Sequence, residues 1–198
     1  MAAELLPEMP GPRAVNFRPV RFGGELQGAL GGASQGINRL GDRWAVNVSM
    51  PVMDPRQAGE WSVALTRALR LGARWRIVQV GFRTGGAGST LVAGASQTGY
   101  ALEIDGGTGG YAWLKGQMMS VVVSSQRYVY QLSAAGRIAS DTTAELPIEP
   151  RIRVSPADNA VVELAKPYIE GALEWPDGWS LDPDRLARGF SFGIAERR

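Results

Sequence analysis

A chain of 198 residues is long enough to bury the core of one medium domain or of two small ones. It contains no cysteine and no histidine, which excludes disulfides and thiolate zinc sites and removes the most common general base and metal ligand. Basic residues exceed acidic ones by only two, an excess too small to predict a surface for nucleic acid.

No targeting signal or membrane span stands out in the sequence. No apolar run approaches the ~18–20 residues of a membrane span, and the N-terminus lacks the basic region and apolar core of a signal peptide. We therefore expect a soluble protein, made in the cytoplasm, with a flexible arm over its first dozen residues. The 26 glycines and 12 prolines are typical of many short strands and turns.

Two strands with a glycine-rich segment between them are predicted before the helix. Residues 14–22 have the composition of a strand, and Pro19 within them indicates an edge strand or a bulge. Residues 23–42 contain seven glycines and are predicted to form a broken hairpin or a long mobile loop. Residues 43–50 alternate apolar and polar side chains, which predicts a strand with one buried face.

One helix is clearly predicted. Asp54 is a suitable N-cap, Pro55 suits the first helical position, and Gly72 is a natural stop. Trp61 lies at the centre of an apolar stripe with helical spacing and is predicted to anchor the helix. The stripe consists of Ala58, Trp61, Leu65, Ala68 and Leu69. Residues 74–82 follow as a predicted strand.

From about residue 81 to residue 150 the pattern changes to short strand-like runs separated by loops, with no helical periodicity. We interpret this part as a small, separate β-module inserted after the helix. Residues 155–198 contain further strand-like runs. The last of these alternates apolar and small residues, as a closing strand does, and its apolar members are Phe190, Phe192 and Ile194.

A glycine-rich stretch at residues 93–107 raises the question of a nucleophile or a phosphate loop. Its Gly94, Ser96 and Gly99 are spaced one residue too far apart for a nucleophile elbow, and the chain has no histidine to activate the serine. It also lacks the Gly-Lys-Ser/Thr of a P-loop. The favoured interpretation is a turn between two strands, with Asp105-Gly106 closing a hairpin.

Two pairs of carboxylates could in principle act together. Glu103 and Asp105 share one face of a predicted short strand, and Asp182 and Asp184 flank Pro183. Such groups can form an acid/base pair or bind calcium, but Asp-Gly and Asp-Pro are ordinary turn sequences. We therefore expect no enzyme activity, no cofactor and no metal.

Two aromatic pairs admit either a binding or a packing role. Trp175 and Trp179 flank a predicted turn, and they either face a partner or pack on the body of the protein. Tyr128 and Tyr130 share a strand face beside Arg127, and they either stack on nucleic-acid bases or make cross-strand contacts. Packing is the favoured interpretation of both pairs.

The order of these segments resembles that of a known family. A glycine-rich FGGELQGALGGASQGINRLGDRW leads into a strand and a single helix with a central tryptophan. The phrases VAGASQTGYALEIDGG, LKGQMMSVV, RYVYQL, AELPIEPRIR and GFSFGIAE follow. Over nearly its full length, the chain resembles the distal tail proteins of long, flexible-tailed (siphovirus-type) bacteriophages and prophages. The likeness lies in the order and spacing of the phrases, with no single diagnostic motif.

The resemblance implies a fold. It is mainly β: a split β-barrel with one flanking α-helix, plus an inserted small OB-like β-barrel. Residues 1–80 and 152–198 would form the split barrel, which makes the ring in this family, and residues 81–151 would form the insert. The helix over residues 54–71 would be the single helix of the split barrel.

The resemblance also implies a function and a set of partners. Six copies form a ring in the virion, at the tail tip, which joins the tail tube protein to the tail hub protein of the baseplate and supports the fibre proteins. DNA and the tape-measure protein pass through the lumen of this ring. The family binds no membrane and reads no nucleic-acid sequence, and its function is structural.

The glycine-rich loop at residues 23–41 is the predicted contact between copies, because a flexible loop can become ordered on assembly. Its apolar anchors are Leu26, Leu30, Ile37 and Leu40. Trp175 and Trp179 are further candidates for contact with a partner. Two alternatives stay open: a trimeric tail hub or other baseplate subunit with the same barrel, and an OB-type protein that binds single-stranded nucleic acid.

Overall fold

The computed structural model describes residues 2–27, 31–37, 39–82, 84–175, 178–184 and 186–197. Strands account for 44% of the residues and helix for 9%, so the predicted mainly β fold with a single helix is confirmed. The helix α1 spans Pro55–Leu71. The strands are β1 (Glu4–Leu5), β2 (Ala14–Val20), β3 (Gly24–Leu26), β4 (Gln35–Ile37), β5 (Arg43–Ser49), β6 (Ala73–Arg76), β7 (Gly88–Val92), β8 (Ala101–Gly107), β9 (Ala112–Trp113), β10 (Met118–Val123), β11 (Gln126–Leu132), β12 (Gly136–Arg137), β13 (Ala144–Glu149), β14 (Val162–Glu163), β15 (Tyr168–Glu174), β16 (Ser180–Leu181), β17 (Ala187–Arg188) and β18 (Ser191–Glu196).

The first sheet has six strands in the order β1-β6-β15-β18-β5-β2. All neighbours in it run antiparallel except β1 and β6, which are parallel. Strand β2 lies at one edge, and Pro19 within it pairs with Trp44 of β5. The edge position agrees with the prediction from Pro19, because a proline cannot donate to a second neighbouring strand.

Helix α1 begins at a capping box. The Asp54 carboxylate accepts from the backbone N–H of Gln57 at 2.9 Å, and the Gln57 side chain accepts from the N–H of Asp54 at 3.3 Å. The helix ends at Gly72, whose N–H donates to the carbonyl of Ala68 at 2.7 Å. Its buried residues are Ala58, Trp61, Ala64, Leu65 and Ala68. Leu69, predicted to belong to this stripe, is instead 53% exposed.

Trp61 fixes α1 on the first sheet, as the sequence predicts. Its side chain is buried, and its ring centroid lies 5.7 Å from that of Phe192 on β18. The indole N–H donates to the carbonyl of Met9 at 3.1 Å. The helix and the N-terminal segment therefore meet at one side chain.

The first dozen residues are not the flexible arm that the sequence predicts. Strand β1 pairs with β6, and Leu6 is only 1% exposed. Ion pairs at the flanks join Glu4 to Arg67 at 3.4 Å and Glu8 to Arg76 at 3.0 Å. One buried leucine anchors the segment, and a single apolar residue leaves no periodic signal in a sequence.

The second sheet forms a nearly closed barrel. Its six strands lie in the order β14-β10-β11-β13-β8-β7, all antiparallel, and a bridge between Leu91 and Val161 links the two ends of the order. This barrel takes strands from residue 88 to residue 163. Its pairing therefore extends beyond residue 151, the predicted end of the insert, and the division into two domains stays a prediction.

A buried carboxylate joins the two sheets. Glu196, at the end of β18, accepts from the N–H of Trp44 at 2.7 Å and from the N–H of Val129 on β11 at 2.6 Å. The guanidinium of Arg153 lies 3.1 Å from the same carboxylate. Burial raises the pKa of Glu196, while Arg153, the two N–H donors and Arg43 oppose that rise.

Candidate assembly surface

The predicted assembly loop forms an arm, by which we mean residues 23–41. Strands β3 and β4 pair with each other, so that Gly24 lies opposite Ile37 and Leu26 opposite Gln35. Within the described chain, this two-stranded sheet is joined to no other strand. Hydrogen bonding within the arm is therefore complete only on its inner side, and both outer edges are available to another strand.

The apolar anchors of the arm are largely exposed. Leu26 is 57% exposed and Leu40 is 58% exposed, whereas Ile37 is half-buried. Leu30, the fourth predicted anchor, lies outside the described residues. Two leucines that leave more than half of their surface in water are the kind of side chain that an interface covers.

The base of the arm is fixed, although its strands have no partner beyond each other. The carboxylate of Asp42 accepts from the N–H of Phe22 at 2.6 Å, and so joins the two ends of the arm. Gly41 has a φ of +150°, and a Cβ there would lie 2.7 Å from the ring of Phe22. Only glycine allows this close approach. A fixed base restricts the directions that the arm can take. It therefore lowers the conformational entropy that the arm loses when it binds.

The predicted partner-facing tryptophans pack on the body of the protein. Both stack on Phe190: the ring centroids lie 6.2 Å away for Trp175 and 5.3 Å away for Trp179. The Trp179 indole also donates to the Ser62 hydroxyl at 3.3 Å, and 37% of Trp179 remains exposed. This geometry matches the favoured interpretation of packing, and a contact between Trp179 and a partner stays a prediction.

The residues proposed to stack on nucleic-acid bases are not available for it. Tyr128 is 7% exposed and Tyr130 is 2% exposed, and burial raises the pKa of Tyr130 to about 12. Arg127 is held by Glu163 at 2.9 Å and by Glu170 at 3.3 Å. Burial opposes the charge of Arg127, but these two carboxylates outweigh it and raise its pKa. The nucleic-acid alternative rested on an accessible aromatic pair beside a free arginine, and these three residues do not form such a surface.

The glycine-rich stretch is a turn between β7 and β8, as the sequence predicts. The Gln97 side chain fills it, donating to the carbonyl of Ala93 at 2.8 Å and accepting from the N–H of Glu103 at 2.7 Å. Ser96 lies on this turn with a φ of +66°. Asp105 and Gly106 do not close a hairpin; they lie within β8, because the strand continues to Gly107.

The acidic pairs gather no further ligands. Glu103 is exposed on β8 and Asp105 is half-buried, while Asp182 and Asp184 both bind the guanidinium of Arg188. Within the part of the chain that the structure describes, no three acidic side chains come together in a way that could hold a metal ion. The helix α1, the only one in that part, is not apolar and long enough to cross a membrane.

Comparison with protein-family models finds no match to this chain, and comparison with curated proteins finds no similar one. The functional argument therefore rests on the order of the sequence phrases and on the geometry of the arm.

The hydrogen bond between the Asp42 carboxylate and the N–H of Phe22 was not predicted from the sequence. Its local signal is the pair Gly41-Asp42, a common turn dipeptide that ends the glycine-rich segment.

Proposed function

We propose that this protein is a structural component of a phage tail tip, where copies of it form a ring between the tail tube and the hub. The observation that carries the proposal is the arm. Its two strands pair only with each other among the described residues, and Leu26 and Leu40 are exposed. A long arm with a fixed base has no evident use within one chain, and it is well suited to contact a neighbouring copy.

The resemblance to distal tail proteins supplies the setting of the ring. Six copies surround a lumen through which DNA and the tape-measure protein pass. The tube protein binds one face, and the hub and fibre proteins bind the other. The arm and its target are different surfaces of the same chain, so the contact is heterologous, and a heterologous contact closes into a ring when its rotation permits.

Light scattering and negative-stain imaging of the purified protein test the proposal directly. We expect a ring with six-fold symmetry and a mass six times that of the 21.2 kDa chain. A three-fold particle favours the alternative of a trimeric hub subunit. A protein that stays monomeric at every concentration, alone and with tail tube protein, overturns the ring.

Deletion of residues 28–36 tests whether the arm makes the contact. We expect the variant to keep the melting transition of the wild type and to lose ring formation and tail completion. Two point variants give a matched comparison. Leu26→Ser changes the arm and should lose ring formation. Leu114→Ser is its control, because Leu114 is also exposed, at 53%, and lies outside the arm. If the deletion variant still forms rings, the arm is not the contact. If it does not fold, the arm belongs to the core of one chain.

A further inference from the structure

A long apolar groove lies beside the edge of the first sheet. Its volume is about 770 Å³, and it is bounded by β2 on one side and by residues 77–82 on the other. Val15 and Phe17 of β2 line it, half-buried, opposite Phe82. Val80, which also lines it, is 88% exposed. Apolar surface of this extent is unusual on a chain with no partner.

Residues 77–82 explain why the groove is open. The sequence predicts a strand over residues 74–82, but the observed strand β6 ends at Arg76. Beyond it, the backbone N–H of Ile77 still donates to the carbonyl of Pro167 at 2.9 Å. Gln79 then bonds through its side chain to both backbone groups of Met118, at 3.1 Å and 2.5 Å. The alternating apolar residues after Ile77 therefore pair with no strand in the part of the chain that the structure describes.

Strand β2 offers the complementary half of a docking site. It pairs with β5 on one side and, among the described residues, with no strand on the other. Its outward backbone groups, apart from the missing N–H of Pro19, are therefore available to hydrogen-bond to an added strand, which would pair mainly with the Val15–Phe17 part of β2. Such a strand would continue the ladder of the first sheet and would cover the exposed flanks of Val15 and Phe17 with its own side chains.

A polar group at the groove also lacks a partner. Trp44 lines the groove and is 9% exposed. Within the described chain, its indole N–H has no hydrogen-bond partner. A buried donor without an acceptor is costly, so the side of the first sheet beside the groove is not fully satisfied within the described residues.

We propose that the groove receives the arm of a second copy, with one arm strand added beside β2; this proposal rests on the proposed ring. No described residue of the chain's own arm lines the groove. Among the described residues, Arg13 is the only charged residue in the groove lining and Glu25 is the only charged residue on the two arm strands. Both are exposed. The two surfaces thus match in strand edges, in apolar character and in charge.

Disulfide trapping tests this contact, because the natural chain contains no cysteine. Leu26→Cys protein is mixed with Val80→Cys protein and oxidised mildly. We expect a disulfide-linked pair of chains at least tenfold more abundant than in a mixture of Leu26→Cys with Leu114→Cys, a matched control at an exposed site outside the groove. Equal yields in the two mixtures overturn the proposal.

Charge reversal gives a second, independent measurement. Arg13→Glu alone and Glu25→Arg alone should each raise the concentration at which assembly is half complete by at least tenfold. The two changes combined in one chain should restore at least half of the wild-type assembly, since each contact then pairs opposite charges again. A double variant no better than the singles overturns the pairing of Arg13 with Glu25.

The outcomes separate this proposal from the proposed function. Closed rings without the Leu26–Val80 disulfide leave the tail-tip function standing and place the arm elsewhere. The disulfide in open chains, without closed rings, supports the groove and overturns the ring. A protein that forms neither disulfides nor rings overturns both.

Discussion

Two regions of the molecule differ in how many of their polar and apolar groups are buried and bonded. One is the junction of the two sheets around Glu196, and the other is the arm. At the junction, Glu196 is fully buried and accepts two backbone N–H groups from different sheets. In the arm, the strand edges are free and Leu26 stands in water. Both carboxylate oxygens of Glu196 thus find donors within one chain, whereas the outer edges of the arm strands pair with no other strand among the described residues. Regions that a chain leaves unsatisfied are where its function is to be sought.

A second polar cluster strengthens the same contrast. Arg127 binds Glu163 and Glu170, and the hydroxyl of Ser120 donates to Glu163 at 2.6 Å. The N–H of Tyr168, on β15 of the first sheet, donates to the same hydroxyl at 3.0 Å. The cluster thus links β10, β11 and β14 of the barrel to the first sheet. These two polar clusters hold the two sheets together, and the arm is attached to the body that they form.

The largest effect on the body is expected from Trp61→Ala. Removal of this buried ring leaves a cavity between α1 and Phe192 and should lower the free energy of unfolding by about 3–5 kcal/mol. Urea unfolding followed by circular dichroism measures the loss. Val63→Ala, on the same helix and 60% exposed, is the control, and it should cost less than about 0.5 kcal/mol. A loss under about 1 kcal/mol for Trp61→Ala would contradict the packing described.

Glu196→Gln should have the next largest effect, because it damages the junction without removing volume. The amide keeps one acceptor oxygen, so one of the N–H groups of Trp44 and Val129 loses its partner. Leaving a buried donor unsatisfied costs about 1–3 kcal/mol. The control is Glu174→Gln, at an exposed carboxylate on β15. Equal losses for the two variants would mean that the Glu196 contacts do not hold the junction.

The pH dependence of stability sharpens the same comparison. Burial raises the pKa of Glu196 above its ordinary value, against the opposing effects of Arg153, the two N–H groups and Arg43. The folded state therefore binds this proton more tightly than the unfolded state does. The stability that the group contributes is present at low pH and is lost as the pH rises through the folded pKa.

The stability of the wild type relative to Glu196→Gln should therefore fall as the pH rises from about 4. Urea titrations of both proteins across the acidic range measure the difference. Burial raises the pKa of Glu196, and the cations Arg153 and Arg43 oppose the rise. The ring of Tyr128 lies 5.0 Å from the Arg153 guanidinium. An advantage that grows with rising pH would mean that the arginines hold the carboxylate ionised.

The smallest effect on folding is expected in the arm. Leu26→Ser and Leu40→Ser should each change the free energy of unfolding by less than about 0.5 kcal/mol, because both leucines are more than half exposed. The same variants should lose assembly by light scattering. If either variant lowers the melting temperature as much as a core substitution does, the contrast between a complete body and an unsatisfied arm is wrong.

Local signals in the sequence predicted local structure well. Asp54, Pro55 and Gly72 define α1 because capping depends on residues within one turn of each other. Pro19 indicated an edge strand for a similar reason, since its missing N–H acts at its own position. The glycines of residues 23–42 predicted a broken hairpin or a long mobile loop, and the pairing of β3 with β4 matches the first of these. The fixed base of the arm was not predicted.

Long-range contacts left no comparable signal. Glu196 bonds to Trp44 across 152 positions of sequence, and no periodicity connects two such residues. The strand predicted over residues 74–82 has the right alternation, but alternation cannot tell whether a neighbouring strand exists. The open groove follows from that missing neighbour, and so could not be found in the sequence.

The place of β18 in the first sheet has a consequence for biosynthesis. This strand lies between β5 and β15, yet residues 50–190 separate it from β5. At ~5–20 residues per second, a ribosome needs roughly seven to thirty seconds to add that much chain. During this interval the edge of β5 that pairs with β18 has no partner, whereas the barrel has all its strands once residue 163 is made. The nascent protein therefore has all strands of its second sheet before it has all strands of its first, and β5 is the strand whose edge stays unpaired for longest on that side.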